Sequence, residues 1–395
     1  MLISKKFIVK SITNVKDLAG KRVLVRCDFS VPVAKGKVID DYKIVQTLPT
    51  IQYLLQREAK IILITHLERP GGKRVKRYEL GPIRARLSRL LGKKVAYVHD
   101  CVGPKAQAAA AKMKDEQIVL LENVRFYPQE ERNDAAFAKK LAGLADLYVN
   151  DAFASSHRAH ASVSAIQKFL PAYAGLLLEQ ELTHLQKVLR PAHPFVVIAG
   201  GKKIETKVPL IKALRKKADA VLIGGMLAYD FLAAKRLSTG SYGVAPAQKK
   251  LAKKMLGKNV MLPFDFVTAS KKDGSGILRV SAADALPKNS YQFDIGPQTI
   301  RAYARYVKEA KTILWNGPMG MFEAEHFQHG TRAVARLVAC RSSGKAFGLV
   351  GGGETIEVLR QVKMLEFVDW ASTGGGAMLA YLAGEKMPGL KEILK

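Results

Sequence analysis

The chain has 395 residues, 48% of them hydrophobic, which is long for one core and comfortable for two domains. It lacks the run of about 18 uncharged apolar residues that a membrane helix needs, and Cys27, Cys101 and Cys340 show neither metal-ligand spacing nor even pairing, as in a reducing compartment. The net charge of +30 is spread along the chain, because residues 1–175 carry 31 Lys/Arg against 16 Asp/Glu and the remainder 33 against 18. A cytoplasmic protein without a membrane role is expected. Such a field attracts anions of every kind, but no nucleic-acid module is recognisable, so at most non-specific nucleic-acid association is expected.

The first half alternates short branched apolar runs with helical patterns. Strands are expected over Arg22–Val25, Ile61–Thr65, Val95–Val98, Ile118–Leu121 and Leu147–Val149. Helices are expected over Ile44–Gln56, Leu80–Leu91, Pro104–Met113 and Ala135–Ala142. This alternation predicts a parallel sheet covered on both faces, with ligands at the carboxyl ends of its strands. Those ends carry cations, with Asp28 after the first strand, His66 and Arg69 after the second, Arg125 after the fourth, and His157 and Arg158 after the fifth. Convergent Arg and His suit a small, multiply charged anion, and Arg adds bidentate contacts to carboxylate or phosphate.

An amphipathic stretch, Leu176–Leu189, reads as a helix joining two lobes of a protein built to close on its substrates. The second half then places strands at Phe195–Ala199, Ala220–Ile223, Val260–Leu262, Thr312–Trp315 and Phe347–Val350. Each strong motif follows one of them. Gly200-Gly201-Lys202-Lys203 is a phosphate-shaped turn, with Lys203 and Lys207 four apart on one helix face. Gly224 and Gly225 make a second turn. Gly317, Pro318 and Gly320 offer a flat surface for a purine, with Glu323 an acceptor for ribose hydroxyls. Gly351, Gly352 and Gly353 open a helix near Thr355, and Glu354 is placed to hold a divalent cation against phosphates. Ser372–Ala377 is a further nest of backbone donors. Neither a Walker A loop nor a dinucleotide fingerprint is present.

Taken together, these residues resemble the phosphoglycerate kinase family over essentially the whole chain. Arg26–Pro32, His66–Pro70, Leu121–Phe126, Asn150–Ser162, Gly200–Lys207, Trp315–Glu323, Gly351–Thr355 and Ser372–Ala377 occur in the family's order and spacing. The resemblance implies two Rossmann-like α/β lobes, each a parallel sheet with helices on both faces. Residues 1–173 would form a glycerate-binding lobe, 174–190 a hinge helix, 191–375 a nucleotide-binding lobe and 376–395 a segment returning to the first lobe. It implies a monomer that moves a phosphoryl group between 1,3-bisphosphoglycerate and ADP, giving 3-phosphoglycerate and ATP, with Mg2+. Asp28, Ser30, His66, Arg69, Arg125, His157 and Arg158 would hold the glycerate. Lys43, Lys203, Gly374 and Gly375 would serve the transferring phosphoryl, and Lys207 the nucleotide phosphates. Gly200, Gly201, Gly224, Gly225, Asn316, Pro318 and Glu323 would hold adenosine, and Gly351–Thr355 the phosphates and metal.

Several positions depart from the family's pattern. Lys43 stands for an arginine, Glu354 for the metal-holding aspartate, Ser30 for an asparagine, Met226 and Glu68 for glycines, and Lys202 for an alanine. Two readings follow. One is a working kinase with altered active-site groups; the other is a weakened or inactive relative that binds nucleotide or a polyanion.

Overall fold

The computed structural model describes residues 8–202 and 204–395. They group into two compact units, one of residues 8–183 with Lys386–Lys395 and one of His184–Glu385. The boundary falls within the helix Leu176–Leu189. The short helix Gly376–Leu382 belongs with the second unit, where it packs on the helix Ile204–Leu214. Lys386–Lys395 joins the first, anchored where the Asn150 amide donates to the Gly389 carbonyl at 2.9 Å.

The first unit is built on six parallel strands in the order Val95–Val98, Ile118–Leu121, Lys60–Ile64, Arg22–Cys27, Leu147–Asp151 and Ala172–Ala174. Ile118–Leu121 is buried at every position, as a continuous apolar strand covered on both faces must be, and Leu147–Asp151 is buried throughout although it ends in Asn150 and Asp151. Local signals agree with the covering helices. Asp134 caps Ala135–Ala142 by accepting from the Phe137 N–H at 2.7 Å, and Gly92, at φ 61°, ends Gly81–Leu91 in the left-handed region.

The second unit repeats the plan with Val260–Met261, Ala220–Ile223, Phe195–Ala199, Thr312–Asn316, Phe347–Gly351 and Trp370–Ser372. It also contains a three-stranded antiparallel sheet that the sequence reading lacks, ordered Leu278–Ala282, Asp265–Ala269, Tyr291–Ile295. The parallel-sheet description therefore needs this addition. The outer strand Leu278–Ala282 alternates apolar and polar residues, but the apolar ones are exposed and only Ser281 is buried, the reverse of a core-facing strand.

Candidate functional site

In the first unit the strand order reverses between Arg22–Cys27 and Leu147–Asp151, which leaves a crevice at their carboxyl ends. Arg26 is fully buried there. Its Nε donates to Ser162 Oγ at 2.8 Å, one Nη donates to the Cys27 carbonyl, and the other lies 3.1 Å from His66 Nδ1. Glu130 Oε1 accepts from Ser162 Oγ at 2.6 Å and so backs the network. Arg125, only 4% exposed, donates to the Glu68 carbonyl at 2.8 Å, and its Nε lies 3.6 Å from Glu131 Oε1. Burial, then the charges of Arg26 and Arg158, push the Arg125 guanidinium down to about 10. Guanidiniums that disfavour one another in this way favour a bound anion that neutralises them.

The histidines differ from the expectation of cationic strand ends. Burial first, and the Arg26 charge second, hold His66 well below its ordinary range. Burial and Arg158 lower His157. Burial and Arg125 bring His160 down to about 3. At neutral pH these rings are uncharged, each offering one donor and one acceptor. Asp28 is buried, with Oδ2 accepting from Lys43 Nζ at 2.8 Å and Oδ1 from the Ser30 N–H at 3.2 Å. Ser30, His157 and Arg158 are half-buried and Arg69 is exposed; the His157 Nδ1 is itself buried, and its Nε2 lies 3.4 Å from Arg158 Nε.

In the second unit the reversal lies between Phe195–Ala199 and Thr312–Asn316. The turns that follow lock together through the backbone. The Gly201 N–H donates to the Pro318 carbonyl at 2.9 Å and the Gly225 N–H to the Met319 carbonyl at 2.8 Å. A Cβ on Gly200 would fall 2.1 Å from the Pro318 oxygen, so only glycine permits this approach. A Cβ on Gly224 would meet the movable end of the Met319 side chain, so that position is less strictly confined.

Lys207 is buried below these turns and donates from Nζ to Asn316 Oδ1. Asn316 Nδ2 in turn donates to the Gly351 carbonyl at 2.7 Å, and Thr355 Oγ1 accepts from the Gly317 N–H at 2.9 Å. Burial brings the Lys207 ammonium down to about 8, with Glu354 acting against it. A cavity of about 270 Å³ lies over Lys207, Asn316, Gly352, Gly353 and Glu354. A second cavity, of about 440 Å³, shares Gly201, Lys202 and Glu354 with the first and is also lined by Gly225, Met226, Pro318 and the exposed Glu323. Gly374 donates from its N–H to Ser372 Oγ at 3.1 Å, and Gly375, at φ 50°, leads into Gly376–Leu382. Lys203 lies outside the described residues.

Glu354 sits in the first turn of the helix Gly353–Gln361 and lines both cavities. One hard oxygen ligand beside a phosphate-sized space fits a magnesium ion that takes most of its other ligands from phosphates and water. The only other grouping of metal-ligand type found among the described residues is Glu79, His99 and Glu122. There the Glu122 oxygens already accept from the Leu80 and Asn123 N–H groups, the Tyr97 hydroxyl and Arg74. Arg26 is the buried charge behind the first unit's crevice to which the sequence reading gave no role. Its signal was visible as a lone arginine inside the apolar run Val23-Leu24-Val25-Arg26-Cys27.

A family model described as "Phosphoglycerate kinase" matches residues 12–385. The phosphoglycerate kinase of Moorella thermoacetica is 45% identical over 381 residues, covering 95% of this chain and 96% of the relative. That of Thermomicrobium roseum is 44% identical over 391 residues, covering 97% and 99%. Among solved structures, phosphoglycerate kinase from Coxiella burnetii superposes with a TM-score of 0.86 at 36% identity, covering 98% of this chain and 99% of that one. The Pyrococcus horikoshii enzyme gives 0.85 at 30% identity, covering 97% and 98%.

Proposed function

The chain belongs to the phosphoglycerate kinase family and is a kinase of that reaction, and from this premise we propose how its own residues divide the work. The first unit holds 3-phosphoglycerate or 1,3-bisphosphoglycerate. Arg125, Arg158 and Arg69 take the substrate's anionic groups, neutral His66 and His157 take its oxygens by hydrogen bonding, and Asp28 and Ser30 take its hydroxyl side. The second unit holds ADP or ATP, with adenosine in the larger cavity and phosphates over Lys207 and the Gly351–Thr355 turn.

The reaction needs little covalent chemistry, so positioning and charge stabilisation carry its rate. Lys207, held by Asn316, supplies a fixed cation to the nucleotide phosphates; the Gly375 N–H is a donor for charge on the transferring phosphoryl, and the Gly374 N–H joins it on leaving Ser372 Oγ. Lys43 and Lys203 complete the cationic set. Magnesium, which Glu354 would hold, neutralises phosphate charge when bound. We assign the enzyme to the cytoplasm as a monomer, with only non-specific, salt-sensitive nucleic-acid contacts. The non-catalytic reading has no specific observation in its favour, because Lys43 and Glu354 keep the charges of the residues they replace.

The observation that carries this assignment is the buried Lys207 ammonium beneath a phosphate-sized cavity that shares lining residues with a larger one. Its test is a pair of variants. Lys207→Ala should raise KM for ATP by more than tenfold and spare KM for 3-phosphoglycerate, and Arg125→Ala should do the reverse. A rise in the same KM for both variants contradicts the division.

A further inference from the structure

Arg26 takes no part in the division of work above, yet it is fully buried behind the crevice of the first unit. A buried guanidinium must direct its N–H groups at partners, and every partner must accept, because arginine has no lone pair to offer. Those partners set one direction of donation through the network. Glu130 Oε2 accepts from the Ser162 N–H at 2.8 Å, and Oε1 accepts from the Ser162 hydroxyl at 2.6 Å. With its proton committed to Glu130, Ser162 Oγ accepts from Arg26 Nε at 2.8 Å. One Nη of Arg26 donates to the Cys27 carbonyl, so the guanidinium is held on two sides. The other Nη lies 3.1 Å from Nδ1 of His66.

That last contact decides where the His66 proton sits. Burial, with the charges of Arg26, Arg125 and Lys43, keeps the ring neutral. A neutral imidazole has one donor nitrogen and one acceptor nitrogen. Facing a group that can only donate, Nδ1 is the acceptor, which leaves the proton on Nε2. Nε2 has no partner among the described residues, and unlike the buried Nδ1 atoms of His157 and His160 it is not cut off from solvent. The charges of Arg125 and Lys43 reach the same ring, so it lies among the groups assigned to the substrate.

We propose that Arg26 is a positioning residue that fixes His66 as its Nε2–H tautomer, so that this N–H donates to an oxygen of the bound glycerate. Carboxylate and phosphate oxygens only accept, and the opposite tautomer would turn a lone pair toward them. Arg26 acts on the substrate through His66 and does not touch it. The assignment rests on the reading of this crevice as the glycerate site.

The test is long-range proton–nitrogen NMR at neutral pH on the full chain with isotope-labelled histidine, the His66 signals being identified by their loss in His66→Asn. In the unmodified protein Nε2 should carry the proton and Nδ1 should show the shift of an unprotonated nitrogen. A proton on Nδ1, or an even mixture of tautomers, overturns the proposal without any Arg26 variant. In Arg26→Met the preference for Nε2–H should collapse to a mixture, and Kd for 3-phosphoglycerate should rise on the order of tenfold with Kd for ATP unchanged. An Arg26→Met protein that keeps the tautomer, or loses it with no change in 3-phosphoglycerate affinity, overturns the proposal. Arg26→Lys puts one donor back and should restore the Nε2–H tautomer and part of the affinity. A proton on Nδ1 in Arg26→Lys overturns the proposal even where Arg26→Met fails to fold. Failure of the unmodified protein to bind 3-phosphoglycerate, with the expected tautomer present, defeats the glycerate reading of the crevice and this proposal with it.

Discussion

Lys43 Nζ lies 2.8 Å from Asp28 Oδ2, so the cation that stands for the family's arginine is held by a carboxylate proposed to hold substrate. Asp28 is almost wholly buried, whereas the Lys43 side chain is 32% exposed, which leaves the ammonium reachable from one side. A lysine so engaged keeps its charge and two further N–H donors, but all on one point-like group; an arginine's planar fork can hold Asp28 with one edge and a phosphoryl oxygen with the other.

Lys43→Ala should lower kcat on the order of 10²-fold, as loss of a preorganised donor to the transferring group does. Lys43→Arg should raise kcat about tenfold if the missing fork limits the unmodified protein. Steady-state kinetics with both substrates saturating checks this, and equal kcat in all three proteins would remove Lys43 from the chemistry.

Glu68 occupies a left-handed backbone position, φ 57°, while its carbonyl accepts from Arg125. Glycine relieves about 1–2 kcal/mol of steric cost there and gives back ~0.5–1 kcal/mol in chain entropy. Glu68→Gly should therefore stabilise the protein by about 0.5 kcal/mol and, by removing an acid near the anion site, tighten 3-phosphoglycerate binding. Denaturant melts and binding titrations read the two effects separately.

The Lys207 ammonium titrates near neutrality because it is buried, with its pKa at about 8. Bound phosphates favour the charged form and raise that value. Above about pH 8, nucleotide binding should therefore take up a proton and weaken as pH rises. Calorimetry in two buffers of different ionisation enthalpy measures the uptake. Lys207→Arg, which stays charged, should abolish it.

Glu354→Gln should raise the magnesium concentration needed for half-maximal turnover by on the order of tenfold, since it removes the charged oxygen ligand. Glu354→Asp should shift it far less. An unchanged magnesium requirement in both variants would move the metal elsewhere.

Much of this was legible in the sequence because strand ends carry their own chemistry. The Gly200–Gly201 and Gly351–Gly353 turns follow continuous apolar strands, and a glycine run at such a place has few uses other than close backbone approach. The charge state of His66 was not legible, since it depends on Arg26, forty residues away, and on burial that no local pattern reports. The antiparallel sheet was missed although Leu278–Ala282 alternates apolar and polar residues, a short run whose only buried member is the polar Ser281. With it went Phe266, Tyr291 and Phe293, which line the larger cavity.

The most direct measurement is 3-phosphoglycerate-dependent formation of ADP from Mg-ATP by the unmodified chain, at low ionic strength, beside Lys207→Ala. The account predicts clear turnover that requires both substrates and falls at least tenfold in the variant at subsaturating ATP. No turnover by the unmodified chain above the level of Lys207→Ala would contradict it.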